Sequence, residues 1–408
     1  MIFDYVIVGS GFAGAVLAER IATELDKKVL IIEKRKHIGG NCFDFKDENN
    51  IIIHKYGPHI FHTNDKEVFN YICKFTNIRI FHHKVLAYID GKKVPIPFNF
   101  NTLYQVFPDT LAKRIEKKLL EKYELNSKVS ILELQSEEDS DLKLLSDFIF
   151  QKIFLNYTVK QWGLTPDEID KSVMSRVPVF MGKDNRYFTD KYQFIPTNGY
   201  TSLFNKMLNN KNIKIMLQTD FHEIAELTKN KFFIFGNEFK GKVIYSGAID
   251  ELFGYRFGEL PYRSLKFEPE TVNTEYYQET AQVNYPNDYD FTRITEFKHF
   301  HNVKSNDTVI FREYPEKFKR GKNSRFYPVL TEKNLKLYQK YRIFARKYKN
   351  LILIGRLAEY KYYNMDEIIK KSLEIFQNKI LPEERENGIK ISGNIGNNTL
   401  LQPRRVFA

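Results

Sequence analysis

The stretch FDYVIVGSGFAGAVLAERIATELDKKVLIIE at residues 3–33 decides the fold. Its apolar start, glycine turn, amphipathic middle and apolar end predict the order strand, turn, helix, strand. The glycines follow the pattern G-x-G-x-x-G, and an acid, Glu33, closes the second strand. In that pattern Gly9 permits a tight turn, Gly11 lets backbone amides approach a pyrophosphate, and Gly14 lets helix and strand pack closely. The stretch therefore predicts a dinucleotide-binding unit in which Glu33 accepts hydrogen bonds from a ribose.

A second glycine pair indicates which dinucleotide binds. The sequence HIGGN at residues 37–41 follows the ribose acid almost directly, an arrangement typical of flavoproteins, in which the chain must pass close to the cofactor. Near the other end, LILIGR at residues 351–356 predicts a buried strand, and a helix is predicted from Met365 onward. A late strand and helix that return to the first sheet would cover a flavin with a backbone amide and a cation. We therefore predict non-covalently bound FAD, held by a domain made from both ends of the chain.

The charge of the chain raises the question of a nucleic-acid partner. The 408 residues carry a formal net charge of +12, and the pI is near 9.2. The lysines are spread along the whole chain, and no nucleic-acid-binding module accompanies them, so we expect no nucleic acid as a partner. A diffuse positive field suits a doubly anionic nucleotide sugar or an acidic membrane surface instead.

The composition indicates an ordinary globular protein, since 42% of the residues are hydrophobic and 28% are charged. No apolar run approaches the roughly 20 residues that a membrane-spanning helix needs. The first residues already open a strand, which leaves no room for a signal peptide. Two cysteines, Cys42 and Cys73, cannot form a disulfide framework and fit a reducing compartment. We therefore expect a cytoplasmic protein without a transmembrane segment and without a metal site.

The order of patterns along the chain predicts an α/β fold: a Rossmann-like FAD-binding domain with an inserted helical domain and an antiparallel β-sheet domain. Residues 85–95 predict a hairpin with an Asp-Gly turn. Helical periodicity dominates residues 101–162, and short alternating segments at 173–200 and 262–330 predict antiparallel sheet. We place the FAD-binding domain at 1–82, 198–250 and 346–381, the sheet domain at 83–100, 166–197 and 251–345, the helical insertion at 101–165, and a loosely held C-terminal extension at 382–408.

Several further short motifs in the sequence point to one protein family. The chain resembles the UDP-galactopyranose mutase family from about residue 4 to about residue 376. The two glycine motifs are shared with many flavoproteins, whereas the histidine loop and the YTVKQWG word are far more specific. The stretches that carry the resemblance are VGSGFAG at 8–14, EKRKHIGGN at 33–41, YGPHIFHT at 56–63, YTVKQWG at 157–163, YRSL at 262–265, TRITE at 292–296, EYP at 313–315 and GRLAEYKY at 355–362.

This resemblance implies an activity. Members of the family interconvert the pyranose and furanose forms of a nucleotide-linked sugar, by default UDP-galactopyranose and UDP-galactofuranose, for the synthesis of surface polysaccharide. Reduced FAD would attack the anomeric carbon through its N5 atom and expel the nucleoside diphosphate, with no net redox change. The resemblance also implies an external reductant for the flavin and a homodimer. The protein would have to hold a diphosphate that leaves and returns, and exclude water.

The resemblance further implies roles for residues on both sides of the flavin. His59 would pack against the isoalloxazine and tune N5, although a structural histidine is the alternative, and His62 is interpreted as structural. Arg356 would lie along the flavin. The full set of residues expected to bind the cofactor is Gly9, Gly11, Phe12, Ala13, Gly14, Glu33, Lys34, Gly40, Asn41, His59, Ile60, Arg356 and Met365.

On the substrate side, Arg293 would neutralise the diphosphate, with Tyr314 and Tyr362 donating phenolic hydrogen bonds to it. His59, Arg293, Tyr314 and Tyr362 form the expected catalytic set. Tyr157 would stack on the base and Asn284 would read a base or ribose edge. Without the resemblance, the arginine would be interpreted as a surface ion pair and the aromatic residues as core packing. The residues expected to bind substrate are Tyr157, Trp162, Tyr192, Asn284, Phe180 and Asn364.

Two departures from the family pattern bear on the choice of substrate. The family has a second diphosphate arginine in the stretch aligned with SRVPVF at residues 175–180, where this chain has Phe180. It also has an aspartate after the last pocket tyrosine, where this chain has Asn364. Lys183 or Arg186 could replace the missing cation. The departures leave open a mutase for another sugar nucleotide, such as a dTDP-6-deoxyhexose.

Two rivals from other classes remain at this stage. A flavin oxidase or dehydrogenase would share the cofactor fold but would show net redox turnover with its substrate. A lysine-rich binding protein without catalytic activity would purify colourless. The yellow colour of bound flavin and the redox balance of the reaction therefore separate the three hypotheses.

Overall fold

The structure, a computed structural model, describes residues 3–162, 178–301, 303–386 and 388, and for Trp162 the backbone only. A parallel sheet lies at its centre. Its strands follow the spatial order Ile213–Met216, Val29–Ile32, Tyr5–Val8, Lys242–Tyr245, Leu351–Leu353. Strands from the beginning, the middle and the end of the chain are thus neighbours. This order confirms the prediction that both ends of the chain build a Rossmann-like domain.

Both faces of the parallel sheet are covered, as its nearly continuous apolar strands require. One face packs on the helices Phe12–Glu24, Gly199–Met207 and Met365–Ile375. The other face, which includes Val6 and Leu30, packs on the helix Glu332–Ala345 and on a three-stranded meander. The strands of that meander are Ala225–Thr228, Lys231–Ile234 and Asn237–Phe239.

A larger, seven-stranded sheet lies beside this domain. Its pairs are antiparallel except for Gln282–Asn284 and Val85–Ile89, which run parallel. The predicted hairpin is confirmed, because Val85–Ile89 pairs with Lys92–Ile96 around Asp90 and Gly91, both with positive φ. The spatial order is Tyr327–Pro328, Tyr262–Val272, Thr308–Lys317, Arg293–Glu296, Gln282–Asn284, Val85–Ile89, Lys92–Ile96.

The segment predicted to be helical is helical. An apolar core that includes Leu119 and Leu145 joins its helices. One strand was not predicted there: Lys128–Ser130 pairs with Pro178–Phe180. The helices are Phe100–Val106, Asp109–Lys122, Ile131–Gln135, Ser140–Ile149 and Asn156–Trp162, with the π-helix Phe150–Leu155 between the last two.

The strand Tyr192–Pro196 has other partners than expected. Its alternating pattern predicts antiparallel pairing, which the structure has, but the partners are Phe61–Thr63 and Ile78–Ile80 rather than the seven-stranded sheet. Alternation determines which face of a strand is apolar, whereas the partner depends on long-range packing. The division into domains stays a prediction.

The remaining short elements connect these layers. The strands Asp44–Lys46 and Ile52–His54 form a ribbon. The described residues contain no helix long and apolar enough to cross a membrane, and both cysteines are free. The other helices are Gly40–Cys42 (a 3-10 turn), Lys66–Cys73, Phe221–Ile224, Ile249–Leu252, Lys298–His301, Phe376–Ile380 (a π-helix) and Leu381–Glu386.

The extension expected from residue 382 is partly docked. Glu384 on Leu381–Glu386 accepts a hydrogen bond of 2.6 Å from Tyr5 Oη, and Glu383 lies 2.6 Å from Lys242. Residues 382–386 therefore belong to the packed body, which corrects that expectation. Residues 387 and 389–408 lie outside the described part of the chain.

Candidate functional site

The glycine turn after the first strand has a backbone conformation that leaves no room for side chains at Gly9 and Gly14. Gly9 has φ +99°, and a Cβ at Gly14 would lie 2.0 Å from the Gly9 carbonyl oxygen. The helix Phe12–Glu24 begins directly after Gly11, and no side chain caps it. The amides of its first turn are therefore available to an anion, and the helix dipole favours negative charge there.

The second glycine pair closes onto this turn. Gly40 has φ +57°, and a Cβ there would lie 3.0 Å from the Gly11 Cα. The amide of Gly39 donates to the Ser10 carbonyl at 3.1 Å. The two turns therefore approach each other through main chain, as the spacing of the glycines predicts.

The ribose acid is fixed at the end of its strand. Glu33 is buried, and its Oε2 accepts hydrogen bonds from the Ser10 amide (3.0 Å) and the Ser10 hydroxyl (2.7 Å). Its Oε1 accepts one from the Arg35 amide at 3.0 Å. Each carboxylate oxygen has further acceptor capacity. The carboxylate is therefore oriented before any ligand arrives.

These elements border a cleft with about 1300 Å³ of empty space, open solvent included. We call it the glycine cleft. Two expected residues do not line it: Gly14 lies at the contact of helix and strand, and Ile60 packs in an apolar cluster with Ile53 and Phe297. The expected residues that do line it are Gly9, Gly11, Phe12, Ala13, Glu33, Lys34, Gly40, Asn41, His59, Arg356 and Met365, with Asn364.

Its free helix amides and its buried acid fit a dinucleotide. Glu33 lies where a ribose would bind, and the first turn of Phe12–Glu24 lies where a pyrophosphate would bind. Among the described residues, no cluster of His, Cys, Asp or Glu suits a metal ion.

His59 reaches the glycine cleft in one defined tautomer. Its Nδ1 lies 2.8 Å from the Gly57 carbonyl, which only accepts, so Nδ1 carries the proton and Nε2 is an acceptor. The pKa of His59 is lowered to about 4: burial is the main cause, the bond to Gly57 opposes it, and the charges of Arg356 and Arg293 add to the lowering. The imidazole is therefore neutral at pH 7.

A second histidine, His54, holds this loop from behind. Its Nδ1 accepts the His59 amide proton at 3.0 Å, and its ring stacks on Phe300. His54 is completely buried, and burial keeps its pKa well below the usual range. Sequence reasoning missed it, because a histidine on an apolar strand has no distinguishing pattern. The other loop histidine, His62, contacts Asp190 at 3.1 Å and stacks on Phe188.

Arg293 is one half of a buried ion pair. Its Nε and Nη2 lie 2.8 and 2.6 Å from Glu313 Oε2. Burial acts to lower the pKa of Arg293, but the charge and hydrogen bond of Glu313, together with Tyr157 and Tyr327, outweigh burial, and the pKa is raised. The Glu313 side chain is 2% exposed, and its Oε1 has no hydrogen-bond partner among the described residues. Sequence reasoning missed Glu313, because the pairing of Arg293 with Glu313 across two strands depends on register.

Tyr314 does not join Arg293. Consecutive strand residues point to opposite faces, so Tyr314 lies on the face opposite Glu313. There it meets Phe291 edge-on, and Lys266 Nζ lies 5.5 Å from its ring centre. The expected role of Tyr314 at the diphosphate is corrected by this register.

Tyr327 lies where Tyr314 was expected. It stacks on Tyr362 with ring centres 5.6 Å apart, and Arg356 lies 4.9 Å from both rings. Burial raises the pKa of Tyr327 to about 12, with Tyr362 adding to the shift and Arg356 and Arg293 opposing it. Arg356 also donates to the Tyr363 carbonyl at 2.8 Å.

Tyr157 faces the same group from the helix Asn156–Trp162. Burial raises its pKa, and among its charged neighbours Arg293 opposes the shift while Glu313 adds to it. We call Arg293, Glu313, Tyr157, Tyr327 and Tyr362 the Arg293 cluster. It borders the glycine cleft, because Arg356 lines the cleft and lies 4.9 Å from the rings of Tyr327 and Tyr362.

Tyr192 was expected at the substrate, and Tyr187 lies there in its stead. Tyr192 stacks on Phe69 at 4.1 Å, on the helix Lys66–Cys73, and does not reach the Arg293 cluster. Tyr187 does, since burial raises its pKa and the charge of Arg293 opposes that shift. Both tyrosines lie in one aromatic-rich stretch, so only the fold distinguishes them.

Asn284 lies beside the Arg293 cluster as expected. It is the register partner of Arg293 on the neighbouring strand. Its Oδ1 accepts a hydrogen bond of 2.8 Å from Gln282 Nε2, and this bond does not use the two hydrogens of its amide group. The side chain of Trp162 lies outside the described residues.

The departures from the family pattern have structural consequences. Phe180 is buried, its amide donates to the Phe98 carbonyl at 2.7 Å, and it does not line the glycine cleft. Residues 175–177 lie outside the described residues. Arg186 is paired with Asp184 at 2.6 Å, and Lys183 lies 5.9 Å from the Tyr104 ring. Neither is positioned as a replacement cation.

Asn364 lies at the border of the glycine cleft, at the start of the helix Met365–Ile375. Its amide donates to Glu367 Oε2 at 2.7 Å. A neutral side chain therefore stands at the position where the family has an aspartate.

Comparison with known protein families supports this geometry. A family model described as UDP-galactopyranose mutase matches residues 152–362. A model described as an NAD(P)-binding Rossmann-like domain matches residues 7–75. The first match contains the whole Arg293 cluster, and the second contains the glycine turn, Glu33 and His59.

Individual proteins are similar over nearly the full chain. The dTDP-fucopyranose mutase of Escherichia coli is 36% identical over 377 residues, which cover 91% of this chain and 97% of that one. The UDP-galactopyranose mutase of Mycoplasma genitalium is 36% identical over 380 residues, covering 91% and 93%. A probable UDP-galactopyranose mutase of Klebsiella pneumoniae is 35% identical over 375 residues, also covering 91% and 93%.

Solved structures share the fold at low sequence identity. A reduced UDP-galactopyranose mutase superposes with a TM-score of 0.70 at 17% identity, covering 93% of this chain and 96% of that one. A putative protoporphyrinogen oxidase from Exiguobacterium sp. 255-15 superposes with a TM-score of 0.63 at 11% identity, covering 93% and 98%. The fold is thus shared with proteins of different chemistry.

Proposed function

Because this chain belongs to the UDP-galactopyranose mutase family, whose members are pyranose–furanose mutases of nucleotide sugars, we propose that it interconverts UDP-galactopyranose and UDP-galactofuranose. Family membership makes it a mutase, an isomerase, and implies a flavin cofactor. The observation that carries the proposal is that the Arg293 cluster borders the glycine cleft at Arg356, which lies 4.9 Å from the rings of Tyr327 and Tyr362. A site for an anionic leaving group thus adjoins a site that fits a dinucleotide.

The glycine cleft would hold FAD. Glu33 would accept from the adenosine ribose, and the first helical turn at Phe12 and Ala13 would face the pyrophosphate. When bound and reduced, FAD would supply a nucleophilic nitrogen for the anomeric carbon of the sugar, with no net redox change.

The Arg293 cluster would hold the diphosphate after it leaves. Arg293 brings a guanidinium whose charge Glu313 partly compensates, and the hydroxyls of Tyr157 and Tyr327 add neutral donors. Because Glu313 compensates part of its charge, Arg293 would stabilise the leaving diphosphate without binding it too tightly. This suits a group that must return to the same carbon. The stack of Tyr327 and Tyr362 on Arg356 would wall this space and exclude water.

His59 would act as a neutral group. Its Nε2 is an acceptor at pH 7, because Nδ1 is committed to Gly57 and the pKa is lowered to about 4. It can therefore accept one hydrogen bond from a group in the glycine cleft without bringing a second positive charge beside Arg293. Its fixed tautomer orients whatever it contacts.

A second substrate class has specific support. At positions where the family has charged residues, Phe180 is buried in a strand and Asn364 is neutral. Lys183 and Arg186 are engaged elsewhere. The dTDP-fucopyranose mutase is also among the similar proteins. A dTDP-6-deoxyhexose is therefore the alternative substrate, whereas an oxidoreductase is supported by fold alone.

The test of the proposal is a panel of nucleotide furanoses incubated with the reduced protein and separated by chromatography. We expect conversion of UDP-galactofuranose to the pyranose, or of dTDP-fucofuranose if the alternative holds. Conversion of neither, by a preparation that carries flavin, would contradict the proposal. A homodimer, a cytoplasmic location, an external flavin reductant and a role in surface polysaccharide synthesis complete the proposal.

A further inference from the structure

Lys160 lies inside the family-specific motif YTVKQWG, and the proposed function assigns no role to this lysine. Its Nζ donates to the backbone carbonyls of Tyr289 (2.6 Å) and Tyr285 (3.0 Å), with that of Asn287 at 3.5 Å. An ammonium group has three donors, so these carbonyls account for its capacity. Lys160 therefore joins the helix Asn156–Trp162 to the loop at residues 285–289 through hydrogen bonds to main chain rather than through an ion pair.

Asn287 and Arg263 hold the same helical region through further side-chain hydrogen bonds. Asn287 Nδ2 donates to the Lys152 carbonyl at 3.0 Å, and its Oδ1 accepts from Asn156 Nδ2 at 2.8 Å. Arg263, on the seven-stranded sheet, donates to the Gln161 carbonyl at 3.0 Å. The helix Asn156–Trp162 is therefore fastened at both ends.

The fastened segments carry opposite sides of the proposed nucleotide site. The loop at residues 285–289 connects the strand that ends at Asn284 to the strand that begins at Arg293. The helix carries Tyr157 and packs on the strand Thr308–Lys317, whose Glu313 pairs with Arg293. The charge of Arg293 also acts on the pKa of Tyr157. A shift of this helix relative to the loop would therefore move Tyr157 away from the Arg293 cluster.

We propose that Lys160 is a positioning residue that holds Tyr157 beside Arg293, and thereby determines nucleotide affinity. This inference rests on the proposed function, since it assumes that Tyr157 contacts the nucleotide. It assigns Lys160 no contact with the flavin or the sugar. Lys160 should therefore affect the binding of the nucleotide far more than the chemical step.

The test compares Lys160→Met, which keeps the aliphatic stem, with Lys160→Arg, which keeps the donors. The control is Lys143→Met, at an exposed lysine on the helix Ser140–Ile149. Binding of UDP and of dTDP is measured through the fluorescence of Trp162, the single tryptophan of the chain, and by calorimetry. KM, kcat and the flavin absorption spectrum are measured on the same preparations.

We expect Lys160→Met to weaken binding of the preferred diphosphate and to raise KM by about tenfold or more, the effect of losing hydrogen bonds from a charged donor. The flavin spectrum should stay unchanged and kcat should change by less than about threefold. The substitution should weaken the binding of the substrate and of the transition state equally, which raises KM and leaves kcat nearly constant. Lys160→Arg should recover most of the affinity, and Lys143→Met should match the wild type.

The outcomes separate the two hypotheses. If the wild-type protein binds neither UDP nor dTDP, the proposed function fails together with this inference. If it binds one of them and Lys160→Met binds it equally well, or loses kcat at unchanged KM, the positioning role alone is wrong. Should Lys160→Met fail to fold, Asn287→Ala removes the side-chain tie and keeps the ammonium. That variant should then show the same change in KM to a smaller degree, and an unchanged KM would overturn the inference.

Discussion

The glycine cleft and the Arg293 cluster border each other, yet they are built by different means. The cleft depends on main chain at one point of its wall, where two glycine turns approach so closely that a Cβ at Gly40 would lie 3.0 Å from the Gly11 Cα. The cluster is made of side chains from separate elements, with Tyr157 on a helix, Arg293 on one strand and Tyr327 on another. One region depends on backbone conformation, and the other depends on how distant segments are placed.

This difference predicts how each region fails. A side chain added at a glycine of the cleft should prevent cofactor binding and abolish all activity. The neighbouring main chain is closely packed and could shift only at a large cost in free energy. A side chain changed in the Arg293 cluster should leave the cofactor in place and reduce turnover by an amount that depends on the group removed. Four experiments of decreasing expected effect test that contrast.

The largest effect is expected from Gly40→Ala. The new Cβ would press on Gly11 at a position with φ +57°, so we expect the purified protein to lose nearly all its flavin. The matched control is Gly254→Ala, with φ +59° but no heavy atom within 4 Å of the added Cβ. Both variants bear the left-handed strain of about 1–2 kcal/mol, but only the first should purify colourless. Equal flavin content in the two would refute the backbone account of the cleft.

The next effect is expected from Arg293→Met. Removing the cation from the proposed diphosphate site should cost about 2–4 kcal/mol in kcat/KM, while flavin content stays normal. It also leaves Glu313 as a buried charge without its partner, so the melting temperature should fall. Adding Glu313→Gln should restore the melting temperature and leave the activity low. Recovery of activity in the double variant would show that Arg293 acts only through the fold.

A smaller effect distinguishes the two tyrosines. Tyr327→Phe should lower kcat/KM by about tenfold, the loss of one hydrogen bond to a charged group. Tyr314→Phe should leave kcat/KM unchanged, because Tyr314 lies on the opposite face of its strand near Phe291. Steady-state kinetics on the two variants measure this directly. The reverse result would mean that the register of the strand Thr308–Lys317 is wrong.

The smallest effect concerns two buried histidines beside the Arg293 cluster. Burial is the main cause that lowers the pKa of His59 to about 4 and of His83 to about 3, from 6.5. Between those values the unfolded chain binds more protons than the folded one, so stability falls as the pH falls below 6.5. The melting temperature should therefore decrease from about pH 7 to about pH 5, above the range in which carboxylates begin to take up protons.

Replacement of one buried histidine should weaken that dependence. His83→Asn removes one titrating group and should flatten the curve of melting temperature against pH. His222→Asn, at an exposed position, should leave its slope unchanged. A melting temperature that is constant over this range would show that these histidines are not kept neutral by burial.

The contrast between the regions also explains what the sequence could reveal. The Rossmann-like fold, its assembly from both chain ends and most residues that line the glycine cleft were predictable, because glycine spacing and apolar runs are local signals. Ile60 was an exception, since its neighbourhood in the sequence does not show that its side chain packs in an apolar cluster.

The Arg293 cluster was predictable only in part. Arg293, Tyr157 and Tyr362 were found through the family resemblance, and the structure brings them together. Tyr314 was expected in the place of Tyr327, and Glu313 was missed, because strand register decides which face each residue occupies. Local pattern does not determine register between strands that are far apart in the sequence.

The most direct measurement of the central claim follows sugar and flavin in one anaerobic sample. The flavin is reduced once, the remaining reductant is removed, and UDP-galactofuranose and dTDP-fucofuranose are added in separate runs. Chromatography follows the sugar while visible absorbance follows the flavin. The account predicts many turnovers of one sugar to its pyranose form while the flavin stays reduced, and no turnover after reoxidation. Oxidation of one flavin for each sugar converted, or equal turnover by the oxidised protein, would contradict it.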